Sequence, residues 1–541
     1  MAAPLFSLVT PVYRPKPEDL QSTIDSVRNQ TCADWEWILV DDHSDQPGVT
    51  AVLRRAAGLD SRITIVERAT NGHIVAASND GLERARGRWI VLLDHDDLLV
   101  PASLERIADA IEKHPAAGYV YTDEDKIDDQ GHLSGEFRKP DWSPERLRHQ
   151  MYLGHLSALR ADLVARVGGF HAGFDGSQDH DLALRVTELC EDVVHIPEVL
   201  YHWRIVPGSA AGDPNAKDYA TDAGIKAVTE HLARMGRPDD RVSVTRVAHT
   251  YRTIRAFDPD TLVSVIIPTC GTIGTVWGET RCFVVEAVRS LLEHTHHELV
   301  EIVVVHDLIT PREVLDQLRA ICGSRLSLVP YDAPFNFSDK CNRGFLAAAG
   351  DVVVFLNDDV EIQSEDFLEQ LCAPLEEPSV GMTGAHLTFS DATIQHAGLV
   401  FQDSEFMHAY FEVPDDEFGY FAELLVDREV SGLTAACVAL RAPVVEEIGG
   451  FWTGLPGNFN DVDFSYKVRR TGRRLVWLSE VRATHFESRS RDTTVARPEV
   501  QAVLNRWGSA GPDPFMPVEA EHLINRIHLL RESESAVSSE D

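Results

Sequence analysis

One acidic signature occurs twice in this chain. Trp89-Ile-Val-Leu-Leu-Asp94-His-Asp96-Asp97 is answered by Val352-Val-Val-Phe-Leu-Asn357-Asp358-Asp359, an apolar run that ends in clustered carboxylates. An apolar run of about five residues reads as a strand buried on both faces, as in parallel sheets covered by helices. Polar groups at the carboxyl end of such a strand stand where open α/β sheets bind their ligands. The signature therefore constrains both the fold class and the place of a site.

The surrounding spacing is repeated too. Gly87 stands eight positions after Asn79 and Asp96 nine after Gly87, and Gly350 and Asp359 follow Asn342 at the same intervals. Further on, Gln178-Asp179-His180-Asp181 precedes His202, and Asn460-Asp461-Val462-Asp463 precedes His485 at nearly the same distance. The stretch from Asp359 to Asp461 is longer than that from Asp96 to Asp179, which predicts extra loop in the second copy. A period of roughly 250 residues is far beyond a solenoid unit of about 20–50, so the repeat describes two whole domains. We place them at 1–256 and 257–511, with the joint near Phe257, where Pro-Asp-rich stretches break the pattern. Residues 512–541 read as an acidic tail, partly disordered.

Within the first copy, Phe6 to Pro11, Trp35 to Asp42, Ile63 to Glu67 and Trp89 to Leu93 read as strands, with helices over Asp19–Gln30 and Ile74–Arg86. The second copy restarts at Leu262 to Pro268 and continues through Glu301 to Asp307. This alternation predicts an α/β chain of two tandem Rossmann-like domains, each built on a mainly parallel sheet.

The formal charge of −36, from 50 basic against 86 acidic residues, opposes binding to nucleic acid or to an anionic membrane through charge. No apolar run approaches the roughly 20 residues of a spanning helix, and Met-Ala-Ala-Pro lacks the basic and apolar regions of a signal peptide. These features predict a cytoplasmic chain, with peripheral association at the inner face of the cell membrane left open. The eight cysteines show no Cys-x-x-Cys spacing, so neither a zinc site nor a disulfide framework is predicted.

Asp94 and Asp96, two apart at a strand end, point broadly the same way and offer hard oxygen ligands suited to Mn²⁺ or Mg²⁺. A solvated turn or helix cap is the competing reading, and duplication with fixed spacing weakens it. Asp179 and Asp461 each open an amphipathic stretch, where Asp is ordinarily a cap. A general base there would contribute roughly 10²–10⁴ in rate. His202 and His485 recur at nearly constant distance from those acids, which favours metal ligation over a purely structural role.

These residues carry a resemblance. Thr10-Pro11-Val-Tyr13, Val40-Asp41-Asp42, Asn71 to Asn79 and Asp94-x-Asp96-Asp97 resemble the motif order of family 2 glycosyltransferases with the GT-A fold. Phe335-Asn-Phe-Ser338, Lys340-Cys-Asn342, Leu356 to Asp359, Ile394-Gln-His-Ala-Gly398 and Gly449-Gly-Phe451 do so for the second half. The tandem arrangement is similar to bacterial enzymes of O-antigen and related surface-polysaccharide assembly. The resemblance implies metal-dependent, inverting transfer of a sugar from a nucleotide diphosphate donor to a glycan or lipid-linked glycan acceptor. It implies donor binding by Pro11, Tyr13, Asp42, Asn79 and Asp94, and by Pro268, Asp307, Asn342 and Asn357. It implies Asp179 and Asp461 as bases, and Asp96 with His202 and Asp359 with His485 as ligands of Mn²⁺ or Mg²⁺. Lys340 is read either as a positive charge near the phosphates or as a surface residue.

There are departures. Gln178 and Asn460 stand where the family often has Glu before the base, Cys270 replaces the counterpart of Tyr13, and His306-Asp307 replaces the usual acidic pair. Competing readings are one active domain with a degenerate acceptor-positioning partner, and a non-catalytic glycan-binding protein. A nucleotidyltransferase would need a Gly-rich basic loop after the first strand, which Pro11 to Pro17 does not offer.

Overall fold

The computed structural model describes residues 3–205, 218–486 and 497–516. The chain divides into two compact units, Met1–Thr253 and Ile254–Asp541. In the first, the apolar strands Phe6–Val12 and Trp35–Asp41 are buried almost throughout, because helices cover both sheet faces. Helix Pro17–Arg28 turns Leu20, Ile24 and Val27 inward at the spacing of one helical face. The buried Trp37 indole donates to Thr10 Oγ1 (2.9 Å), so its single polar atom is satisfied inside the core.

The sheet order is Ile63–Glu67, Trp35–Asp41, Phe6–Val12, Trp89–Leu92, Ser157–Arg160, Ala117–Ile127, Asp192–Arg204 and Leu98–Leu99. The first four strands run parallel. Ser157–Arg160 is antiparallel to both neighbours, Ala117–Ile127 and Asp192–Arg204 are parallel, and Leu98–Leu99 closes the edge antiparallel. The second unit repeats this order: Leu326–Tyr331, Val300–Asp307, Val263–Thr269, Val352–Leu356, Cys437–Arg441, Val380–Thr388, Arg474–His485 and Val360–Ile362. The pair directions are the same. The chain is thus an α/β protein with two mainly parallel sheets, as expected. Strand order reverses between Phe6–Val12 and Trp89–Leu92, so the acidic cluster stands at a topological switch point.

Three features differ from the sequence reading. The helix expected over Ile74–Arg86 is His73–Leu82, because the Arg86 amide and guanidinium are drawn to the Glu36 carboxylate (2.6 and 2.5 Å). A hairpin, Ile273–Val276 with Glu279–Cys282, interrupts the second unit between its first strand and first helix. The extra length predicted in the second copy forms strand Ile394–His396 and the hairpin Leu399–Gln402 with Glu405–His408. At the start of the segment expected as a tail, Asp513 Oδ2 accepts from the Phe401 amide (2.7 Å) and Met516 is buried; 517–541 lie outside the described residues. Among the described residues no helix is long and apolar enough to cross a membrane.

Candidate active site

The switch point is assembled in the same way in both units. Pro11 and Pro268 lie at the ends of the first strands, and Tyr13 beyond Pro11 is exposed. The middle residue of each acidic cluster ties it back to that strand: His95 Nδ1 contacts the Pro11 carbonyl (3.1 Å), and Thr269 Oγ1 donates to Asp358 Oδ2 (2.5 Å). Asp42 is buried and accepts from Arg68 (2.6 Å) and the Gly72 amide (2.8 Å). Its counterpart Asp307 pairs with Lys340 Nζ (2.8 Å), which also donates to the Thr269 carbonyl (3.2 Å). Lys340 is therefore a buried partner of the candidate nucleotide aspartate, not a surface residue.

Asp94 remains about 41% exposed, open to a ligand. Burial lifts the Asp96 carboxyl above the ordinary range, with Asp94 adding to the effect. Asp97 is deeply buried and is lifted further, first by burial and then by its acidic neighbours. Donor atoms of Asp94, Asp97 and His155 converge to within 4.8 Å of one another. Yet the Asp97 oxygens already accept from the Tyr201 hydroxyl (2.5 Å) and the Arg204 amide (2.7 Å), and its counterpart is the apolar Val360. Asp97 thus anchors the sheet edge, whereas Asp94 and His155 face the site.

Of the expected metal pairs, the second is closed: His485 Nε2 lies 3.0 Å from Asp359 Oδ1. The strand edge pairs Val360 with His485 but Leu98 with His202, and among the described residues no ion pair joins His202 to Asp96. His202 Nδ1 instead meets Asp125 Oδ1 at 2.5 Å. Asn357 Nδ2 lies 3.3 Å from His485 Nε2, while its Oδ1 is buried with no hydrogen-bond partner among the described residues. An unsatisfied buried acceptor is costly, and a cation or sugar hydroxyl would satisfy this one.

Asp179 and Asp461 stand in the first turns of helices Gln178–Thr187 and Asn460–Arg470, but the caps are Ser177 and Phe459. Burial pushes the Asp179 carboxyl up to about 6; His155 opposes the shift, Asp94 adds to it, and the Gln178 amide donates to Oδ2 (3.0 Å). Asp179, Tyr119, Met151 and His155 share one cavity lining. Asp461 Oδ1 accepts from the Val462 amide (2.9 Å), and Asn460 turns away to the Gly457 carbonyl (3.0 Å).

Asn79 and Asn342, expected as donor contacts, bond the backbone of Phe170 and Phe451 with both ends of their carboxamides. The second acids of the helix motifs are scaffold as well. Buried Asp181 holds Arg185, which donates to the Gly169 carbonyl (2.9 Å), and Asp463 neighbours Lys467, which donates to the Gly450 carbonyl (2.7 Å).

Sequence reading missed three acids in strand Ala117–Ile127. Asp123 meets His195 (2.8 Å), Glu124 accepts from Lys139 Nζ (3.0 Å) and the His155 amide (2.7 Å), and Asp125 meets His202. His155 and Gln395 were not assigned either; Gln395 Oε1 lies 2.7 Å from His485 Nδ1. Three consecutive acids in a strand that begins Ala-Gly-Tyr-Val-Tyr are the signal, since buried charges require partners.

Comparison with known proteins agrees with this architecture. Residues 7–166 match the family described as "Glycosyl transferase family 2", and residues 259–507 that described as "Glycosyltransferase like family 2". The uncharacterized protein y4gI of Sinorhizobium fredii is 38% identical over 517 residues, 93% of this chain and 56% of that protein. The O-antigen biosynthesis protein RfbC of Myxococcus xanthus is 35% identical over 519 residues, 95% of this chain and 40% of RfbC. The chain thus spans about half the length of these relatives. A crystal structure of S. aureus TarS 1-349 in complex with UDP aligns with TM-score 0.35 and 16% identity, over 42% of this chain and 65% of that one. With one match in each half and the same strand order in both, the chain belongs to glycosyltransferase family 2 as a tandem pair of its domains.

Proposed function

We propose that each domain transfers a sugar, with inversion, from a nucleotide diphosphate donor to a growing cell-surface polysaccharide or O-antigen glycan. The observation that carries the reading is Asp179, a carboxyl raised to about 6 that feels both Asp94 and His155. Such a group is still ionised near neutrality and is a stronger base than an ordinary carboxylate. An acceptor hydroxyl gives its proton to Asp179 while its oxygen bonds the anomeric carbon. The bond from that carbon to the diphosphate breaks on the opposite face, and its electron pair leaves with the nucleoside diphosphate. Asp461 takes the same part in the second domain.

Pro11, Tyr13, Asp42 and Asp94 hold the donor in the first site, and Pro268, Asp307 and Asn357 in the second. Asp96 with His202, and Asp359 with His485, are the donor sets for Mn²⁺ or Mg²⁺. For the second set the chemistry fits, since carboxylate and imidazole both suit Mn²⁺ and His485 Nε2 lies 3.0 Å from Asp359 Oδ1; in the first, His202 bonds Asp125 and not Asp96. A bound cation would neutralise charge on the departing diphosphate. The relationship to RfbC supports an O-antigen or polysaccharide acceptor.

The reading is tested by Asp179→Asn and Asp461→Asn, each assayed with a panel of nucleotide sugars and glycan acceptors. Two active sites require each variant to lose a different transfer. Loss in one variant alone would leave a single active domain, and no loss in either would remove the catalytic assignment.

A further inference from the structure

The motif Ile394-Gln-His-Ala-Gly398 holds a second buried polar side chain beside Gln395. The Thr434 amide donates to His396 Nε2 (3.3 Å), and His396 Nδ1 stands 3.0 Å from Nδ1 of His408, on strand Glu405–His408. Burial pushes the His396 imidazole well below its ordinary range, with His408 the next cause, and pushes His408 down to about 4, with His485 adding to it. Near neutrality each ring therefore carries one proton.

The network assigns both tautomers. A backbone amide can only donate, so His396 Nε2 is bare and its proton is on Nδ1. His408 Nδ1 must accept that proton's bond, which leaves the proton of His408 on Nε2. His408 is partly exposed, and among the described residues nothing accepts from its Nε2. The relay starts at the site: Thr434 is two residues before Ala436, whose carbonyl accepts from the Asn357 amide (2.9 Å). Strand registers make Phe137 the counterpart of His396, so the first domain lacks this pair. We propose that His408 Nε2–H is a specificity-determining contact of the second site, donating to a hydroxyl of the donor sugar, and that His396 is the positioning residue that fixes its tautomer. A neutral N–H suits an uncharged sugar oxygen, whereas a diphosphate is better held by charged donors. This rests on the reading of Asn357 as a donor-binding residue.

The test is calorimetric titration of the full chain, carrying Asp42→Ala to silence the first site, with UDP-, dTDP- and GDP-sugars, each beside its free nucleotide. For the sugar nucleotide held tightest, His408→Ala should weaken binding about tenfold and leave the free nucleotide within twofold. His408→Phe, which keeps a ring against Phe411 (5.9 Å) but has no N–H, should do the same. His408→Gln, whose carboxamide keeps an N–H near the place of Nε2, should recover most of the loss. Equal weakening of sugar nucleotide and free nucleotide would make the pair a structural clasp and overturn the inference, as would unchanged binding of both. If the Asp42→Ala chain binds no nucleotide at all, it is the donor reading of the second site that fails.

Discussion

Asn342 and Phe451 exchange two hydrogen bonds through one carboxamide, Nδ2 donating to the carbonyl and Oδ1 accepting from the amide, both at 2.8 Å. Asn79 and Phe170 do the same in the first domain. The turn leaves no room for a side chain at Gly450 (φ +63°), where a Cβ would stand 2.4 Å from Asn342 Oδ1. This clasp joins the helix beneath the first strands to the segment that leads into the helix of Asp461.

Asn79→Ala and Asn342→Ala should each lower the stability of their own domain by about 1–3 kcal/mol, the cost of leaving backbone groups unsatisfied. Urea denaturation read by tryptophan fluorescence, beside calorimetric titration of donor, checks this. A donor Kd that rose while stability held would return these asparagines to the binding site.

Activity of the first site should fall on acidification through pH about 6, as Asp179 takes up a proton. The stability effect has the opposite sense. Because the native chain holds this proton more strongly than the unfolded one, the contribution of Asp179 to stability is lost as pH rises from the ordinary carboxylate range through about 6. Asp179→Asn should therefore lose roughly 10²–10⁴ in transfer rate without lowering the melting temperature at neutral pH. A pH–rate profile of kcat/KM in the Asp461→Asn background, beside a thermal melt, separates the two effects.

Lys139 is completely surrounded, donating to Glu124 (3.0 Å) and to the carbonyls of Leu153 (2.7 Å) and His155 (2.6 Å). Removing one partner of a buried pair strands the other charge, so Lys139→Met should cost about 3–5 kcal/mol. The loop that carries His155 should loosen first, seen as faster amide exchange over residues 151–156. Unchanged exchange there would mean that Lys139 does not set the position of His155.

The sequence showed most of what alternates or repeats. The strand-end clusters that begin at Asp94 and Asn357, the later Asp179 and Asp461, and the duplicated order of strands were legible because apolar runs and fixed spacings report burial directly. What it hid were pairings between distant segments. Asp125 with His202 and Gln395 with His485 do not share a sequence spacing, because one acceptor comes from a long strand and the other from a loop insertion. The partner of Asn79 was hidden for a related reason: a polar residue on a helix near a site looks the same in sequence whether its amide faces a ligand or the backbone of Phe170.

The cation beside the candidate nucleotide aspartate comes from a different element in each domain. Asp42 takes Arg68, which follows strand Ile63–Glu67, whereas Asp307 takes Lys340 from helix Phe337–Ala347. Strand registers make Tyr331 the counterpart of Arg68, and its ring lies 5.3 Å from Lys340 Nζ. The counterpart of Lys340 is Ala77, too short to reach an aspartate. Lys340→Ala should therefore weaken nucleotide binding at the second site alone, by roughly tenfold, since the partly exposed Asp307 carboxylate is left without its nearest cation. Tyr331→Arg introduced into that variant transplants the first domain's arrangement and should recover most of the lost affinity. Calorimetric titration with UDP in an Asp42→Ala background isolates the second site. Recovery would show that a cation beside Asp307 is what the site requires, wherever it originates, and no recovery would tie the requirement to Lys340 and its bond to the Thr269 carbonyl.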